Sequence, residues 1–237
     1  TALKFNTSGD MNTASGSSSL YRNTTGEYNS AFGAYALHEN ISGRLNVATG
    51  YEAMYYNTYG NYNTANGAYS LHLNTTGSWN TATGYEAMYY NKTGSRNTAH
   101  GNSSLHQNTT GFQNTAIGFD AMYNNFTGHD NTVIGNGAMY GGDGSYNTAS
   151  GAEVLRQSYG DNNTASGFRA MYENASGYGN TATGVEALFY GTDGSCNTAL
   201  GYRAGSTTSL YNSTSLGYQS SATADYSAVI GNSNVTS

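Results

Sequence analysis

His38, His72 and His106 recur at intervals of 34 residues, and imidazoles at a fixed spacing are the raw material of a metal site. Glu52, Glu86, Asp120, Glu153 and Glu186 form a second recurring set. A carboxylate pair would supply the acid and base of a hydrolase, but no second acid or nucleophile accompanies these at a fixed offset. They read as a solvated rim, and no catalytic constellation emerges. Gly142-Asp143-Gly144 and Asp193-Gly194 resemble calcium-binding turns without the nonapeptide recurrence of such sites, and plain turns account for them. Asn23, Asn74, Asn91, Asn108 and Asn125 open Asn-x-Ser/Thr sequons, so N-glycosylation is a candidate modification. The expectation is a protein without cofactor or enzymatic activity.

The elements that must carry these residues follow from a repeat. The glycines that close Asn-Thr-Ala-x-Gly units (Gly16, Gly33, Gly50, Gly67, Gly84, Gly101, Gly118 and Gly135) are each 17 residues apart, and later steps shorten to 16 and 14. The pattern N-T-A-x-G-x-x-A-(L/M)-x-x-N-x-T-G-x-x stands almost intact from Asn80 to Arg96, and pairs of units repeat over 34 residues. A unit this short cannot hold a helix pair. Two segments of about five residues, punctuated by Gly and Asn, read as strands and turns. One unit per coil at the roughly 4.8 Å strand spacing gives an all-β parallel β-solenoid, or β-roll, of about fourteen coils and roughly 65 Å. Residues 1–11 read as a lead-in, 12–205 as the 17-residue array and 206–237 as 14-residue repeats continuing the same rod.

Because side chains alternate across a strand, the Ala at position 3 faces the core and positions 2 and 4 face away. Position 9, always Leu or Met from Leu20 to Leu188, supplies the larger core member. One Ala and one Leu or Met per coil is a thin core, so stability must also come from the continuous ladder and from stacked Asn and Tyr columns. Tyr51, Tyr55, Tyr85, Tyr89, Tyr123 and Tyr172 are candidates for an aromatic ladder that braces the roll, packs against a sister chain or binds sugar rings. The Asn columns at positions 1 and 12 are explained by turn chemistry. Neighbouring coils place His38, His72 and His106 two coils apart, roughly 9.5 Å, too far for one chain to chelate a metal, although one His from each chain of an oligomer would form a ring.

Composition narrows the function classes. The 237 residues include 32 Gly, 23 Tyr and no Pro, and only 9% are charged. Pro removes the N–H that a ladder needs, so its absence fits a chain hydrogen-bonded along nearly its whole length. A net charge of −6 with eight basic residues gives no cationic footprint for nucleic acid. A lone Cys196 allows no internal disulfide, and no apolar run approaches a membrane span. No signal peptide is read, and Thr1 in the place of an initiator is the expectation for a processed or excerpted piece.

Thr64, Thr81, Thr83, Thr98, Thr115, Thr148, Thr164, Thr181 and Thr183 occupy positions 2 and 4, and this Thr-x-Thr array resembles the ice-binding faces of solenoid antifreeze proteins. Thr is also simply a good strand residue. The stretch from Ser213 to Gly231, with its 14-residue step, resembles the head repeat of YadA-type trimeric autotransporter adhesins. The Asn-Thr-Ala-x-Gly units are also similar to repeats in tail-fibre-like proteins. The adhesin resemblance implies a left-handed, homotrimeric, extracellular β-roll that attaches cells to surfaces, with Leu216 and Ile230 near the trimer axis. Over most of the chain the corresponding positions are Thr, Ser and Asn, so a trimer would use the Tyr-bearing face or assemble differently. The expected function is a non-enzymatic structural and adhesive fibre segment at the cell surface, binding itself and a surface, matrix or glycan. Alternatives are an ice-binding solenoid and a carbohydrate-active fibre domain, the latter needing an acidic pair that the pattern lacks.

Overall fold

Each Thr-Ala-x triplet is a strand, and each is only three residues long. The computed structural model describes residues 1–191, 193–205 and 209–232, and these build an all-β parallel β-solenoid of about 13 turns. The chain divides into two compact units, Thr1–Thr127 and Gly128–Ser237. Unit 1 holds β1 (Thr13–Ser15), β2 (Ser30–Phe32), β3 (Val47–Thr49), β4 (Thr64–Asn66), β5 (Thr81–Thr83), β6 (Thr98–His100) and β7 (Thr115–Ile117). Unit 2 holds β8 (Thr132–Ile134), β9 (Thr148–Ser150), β10 (Gln157–Ser158), β11 (Thr164–Ser166), β12 (Glu173–Asn174), β13 (Thr181–Thr183), β14 (Thr198–Leu200), β15 (Thr214–Leu216) and β16 (Ala228–Ile230). Within each unit successive triplets pair in parallel and in register, Ala on Ala, as in Ala65↔Ala82 and Ala165↔Ala182. β10 and β12 form a separate two-stranded sheet in unit 2.

The second Gly-bounded segment of each unit, expected as a strand, contributes only the two-residue β10 and β12 among the described residues. Its seventh and ninth positions take left-handed backbone angles, for example Glu52 at φ 53° and Met54 at φ 52°, which no pleated strand accepts. Two such residues turn the chain back over the core within one coil. A left-handed Leu or Met costs about 1–2 kcal/mol. Burying its side chain returns about 1.5–3 kcal/mol, and Leu37, Met54, Leu71, Met88, Leu105 and Met122 are all fully buried. The corner is closed by the amide of Asn57, which donates to the Met54 carbonyl at 3.1 Å.

The core is also fuller than expected. Position 8 adds a second small buried column, with Ala36, Ala53, Ala87 and Ala121 in unit 1 and Ala138, Val154, Ala170 and Ala187 in unit 2. Where Ser replaces Ala, its hydroxyl donates to the Gly carbonyl three residues back, as Ser70 does to Gly67 at 2.8 Å, so no polar atom is stranded. Residues 1–11 already belong to the stack: the Leu3 amide donates to the Ser19 carbonyl at 3.1 Å, and Asn6 joins the first Asn column. The division falls at 127/128, inside the expected array, and the junction expected at residue 206 lies outside the described residues. No helix among the described residues is long and apolar enough to cross a membrane.

Candidate functional site

Strand alternation buries position 3 and turns positions 2 and 4 outward. In unit 1, Thr64, Thr81, Thr98 and Thr115 stand in register, the first three exposed and Thr115 half-exposed. Their position 4 companions are Asn66, the half-exposed Thr83, His100 and Ile117, so hydroxyl pairing among these four is confined to one coil, and Thr13/Ser15 is a separate pair at β1. Unit 2 differs. Thr148/Ser150, Thr164/Ser166 and Thr181/Thr183 lie in register on three successive coils, all six exposed.

The tyrosines do not form one ladder. Tyr55, Tyr89 and Tyr123 share position 10 with Tyr21 and all three recurrent histidines, and their rings alternate in one stack. Ring centroids are 4.9 Å apart for Tyr21–His38, 4.7 Å for His38–Tyr55, 4.8 Å for His72–Tyr89 and 4.6 Å for His106–Tyr123, all near parallel. Tyr51 and Tyr85 belong to a separate, more exposed zigzag with Tyr35 and Tyr69, edge to face at 5.4–6.1 Å. Tyr172, in unit 2, stacks on Phe189 at 5.1 Å. The stack uses both faces of each inner ring, which is bracing, worth about 0.5–1.5 kcal/mol per pair.

The recurrent acids are partnered. Glu52 meets His72 Nε2 at 2.9 Å, and Glu86 meets His106 Nε2 at 3.3 Å. A hydrogen bond to Glu52 also pushes the Tyr51 phenol up to about 12. In unit 2, Arg169 donates to Glu153 at 2.6 Å and Arg203 pairs with Glu186. Burial pushes His72 and His106 below the ordinary imidazole value, with the neighbouring glutamates pulling the other way. A folded-state value below the free one means the unfolded chain takes the proton first as pH falls, so their contribution to stability is present near neutrality and is lost below about pH 6.5. The urea midpoint of unit 1 should therefore drop between pH 7.5 and 5, and a His72→Phe, His106→Phe double variant, which keeps the stack, should show a flatter profile. The groups facing the two imidazoles are Glu52, Glu86, Asp120 and the phenols of Tyr55, Tyr56, Tyr69, Tyr89, Tyr90 and Tyr123. Among the described residues no three His, Cys, Asp or Glu side chains gather as a metal site would require.

The asparagines are interior. At position 12 the Asn74 Nδ2 donates to Asn57 Oδ1 at 2.6 Å and to the Gly77 carbonyl at 2.9 Å, and the same pair of bonds recurs at Asn23, Asn40, Asn57, Asn91 and Asn108. At position 1, Asn80 accepts at Oδ1 from the Asn97 amide, 3.0 Å, and donates to the Gly94 carbonyl, 2.8 Å. Local turn preference had accounted for these residues; two buried amide ladders are what they build. This corrects the expected glycosylation sites. Asn23, Asn74, Asn91, Asn108 and Asn125 are fully buried, and each uses as a donor the Nδ2 atom to which a glycan would be joined. A glycan there is incompatible with this fold. Asp143 and Asp193 likewise accept within the fold, from the Gly128 amide and the Ser176 hydroxyl. Cys196 is exposed and free.

Apart from Ile230, which the adhesin resemblance singles out, two features had no sequence signal beyond the repeat itself. In unit 2, positions 4 and 6 carry exposed Phe168, Val185, Leu200, Tyr202, Tyr218 and Ile230, and Tyr202 stacks on Tyr218 at 5.3 Å. In unit 1, positions 11 and 13 wall a cleft of about 400 Å³ lined by Phe5, Arg22, Thr24, Glu39 and Ile41, and another of about 240 Å³ lined by Tyr56, Thr58, Leu73, Thr75 and Lys92. Comparison with protein-family models, curated proteins and solved structures gives no match for this chain.

Proposed function

We propose that the chain is a non-enzymatic structural and adhesive segment of an extracellular fibre, self-associating as a homotrimer, as its resemblance to YadA-type heads implies. The apolar face of unit 2 carries this reading. Leu200 is 52% exposed, Tyr218 59% and Ile230 79%, and exposed apolar side chains on neighbouring coils mark an interaction surface. A solenoid repeats each outward group at one-coil intervals, so weak contacts multiply along a face without any single strong pocket. Light scattering on the purified chain should give three times its 24.9 kDa. Leu200→Asp combined with Ile230→Asp should give the monomer, with β-structure retained by circular dichroism. A monomeric unaltered chain overturns self-association.

The three hydroxyl-bearing coils of unit 2 favour a second reading, an ice-binding face. Thermal hysteresis that is lost in Thr164→Lys would support it, and its absence from the unaltered chain would remove it.

A further inference from the structure

The two clefts of unit 1 are one groove seen twice. A shift of 34 residues carries Arg22 to Tyr56, Thr24 to Thr58, Glu39 to Leu73 and Ile41 to Thr75, so the two clefts occupy equivalent places two coils, about 9.6 Å, apart along the stack, with different side chains on their walls. Its walls are the side chains at positions 11 and 13, which flank the buried Asn of position 12 in the sequence.

Two tyrosines at position 11, Tyr56 on the wall of the second cleft and Tyr90 two coils further on, stand edge-on to a histidine, as Tyr69 of the zigzag also does. Tyr56 lies 5.5 Å from His72 at an interplanar angle of 87°, and Tyr90 lies 5.3 Å from His106 at 77°. Both faces of His72 are already covered, by Tyr55 and Tyr89, and both faces of His106 by Tyr89 and Tyr123. The perpendicular contact must therefore bring the imidazole edge to one face of the tyrosine. The tyrosine's opposite face is left uncovered by the stack; Tyr56 is 42% exposed and Tyr90 is half-buried. Tyr55 at 4.5 Å and Tyr89 at 4.7 Å fix the two rings from the side. Unit 1 thus presents two preorganised flat platforms, two coils apart.

The backbone around the groove cannot receive an added peptide strand, because its amides are spent. Those of Tyr56, Leu73, Thr75 and Lys92 donate to the carbonyls of His72, Tyr89, Lys92 and Thr109. The side chains can receive hydroxyl groups. Thr58 and Thr75 each donate to the next coil's carbonyl at 2.9 Å and keep oxygen lone pairs for an incoming O–H. The groove holds little net charge, since Arg22 pairs with Glu39 at 2.8 Å and leaves Lys92 as the further cation. The occupant that fits is neutral, rich in hydroxyls, apolar on its ring faces, extended, and repetitive over about 9.6 Å. An extended β-1,4-linked pyranose chain has these properties, with all-equatorial substituents, C–H-lined ring faces and a two-sugar repeat close to that length.

We propose that the groove between positions 11 and 13 of unit 1 binds a β-1,4-linked polysaccharide chain, with Tyr56 and Tyr90 stacking on alternate sugars and Thr58, Thr75 and Lys92 bonding its hydroxyls. This deepens the adhesive reading above by naming the class of surface, and it rests on that reading for its purpose but not for its geometry. Isothermal titration of the full chain with cellohexaose and with chitohexaose tests it and separates a glucan from an N-acetylglucosamine source. At least one should bind, and α-1,4-linked maltohexaose, which curls, should not. Tyr56→Ala and Tyr90→Ala should each weaken binding about tenfold or more, while Tyr56→Phe, which keeps the platform, and Tyr62→Ala, in another column, should leave it unchanged. Binding of neither β-linked hexasaccharide, equal binding of maltohexaose, or indifference to both alanine variants overturns the proposal. A trimer that ignores both sugars removes this site and leaves the fibre reading intact; a monomer that binds one does the reverse.

Discussion

Gly67→Ala is expected to lower the stability of unit 1 by about 3–5 kcal/mol and to open the coils on either side. Gly67 sits at φ 141°, a region essentially closed to residues with a Cβ. The Cβ would also stand 2.4 Å from the Gly84 carbonyl oxygen and 2.7 Å from its carbon. Those are backbone atoms of the next coil, so no side chain can swing aside. Relief requires the coils to separate, which breaks bonds such as that from the Gly84 amide to the Asn66 carbonyl at 2.9 Å. Neighbouring Asn66 is exposed, and Asn66→Ala should cost no more than about 0.5 kcal/mol. Urea denaturation of both variants checks the difference, and hydrogen exchange should place the loss of protection in the coils around residue 67. Equal midpoints for the two would show that the coils slide apart at little cost.

Asn74→Asp changes one atom and is expected to cost about 3–5 kcal/mol. The amide is fully buried and donates twice, to Asn57 and Gly77, while its oxygen accepts from Asn91 Nδ2 at 2.8 Å. A carboxylate keeps the acceptor and sets a second one against two oxygens. Burial holds such an acid in its neutral form, so its folded-state value rises above the free one of about 3.9. The folded variant then binds the proton first, and its deficit relative to the unaltered chain should shrink as pH falls from 8 to 5. Asn74→Ala, which introduces no charge, should show a deficit independent of pH. If the two variants behave alike, the amide ladder is a filler rather than a bonded column.

The period, the parallel in-register stacking and the inward position 3 are legible in the sequence, because a repeat states its geometry once per coil and strand alternation does the rest. Position 9 is legible by its unbroken Leu or Met. Position 8 is not, since a small residue beside a large one looks like spacing until left-handed angles at positions 7 and 9 turn both inward. The asparagines mislead for a related reason. Asn suits a turn by its own backbone chemistry, and only the closed coil reveals that Asn57 and Asn74 face inside, where the amide bonds its copy as well as its own turn. Tyr55 and His72 occupy the same position in the repeat, so their shared stack was open to inspection by column; the perpendicular seat of Tyr56 depends on ring orientation, which no spacing encodes.

The Asn ladder of unit 1 also has a direction. Every step runs the same way, Nδ2 of a later coil to Oδ1 of the one before, from Asn23 to Asn6 through Asn125 to Asn108. The position 1 column repeats the sense, Asn29 to Asn12 and Asn114 to Asn97. In the position 12 column each coil therefore shows a donor on one side and an acceptor on the other, as a brick with a stud and a socket does. Removing or duplicating a whole coil rejoins a stud to a socket, whichever coil is chosen, whereas an inverted one would meet donor with donor. Such a chain can be lengthened or shortened by unequal recombination in whole 17- or 34-residue steps without a new interface having to arise. The reach of the molecule is thus a heritable variable that its internal bonding leaves free to change.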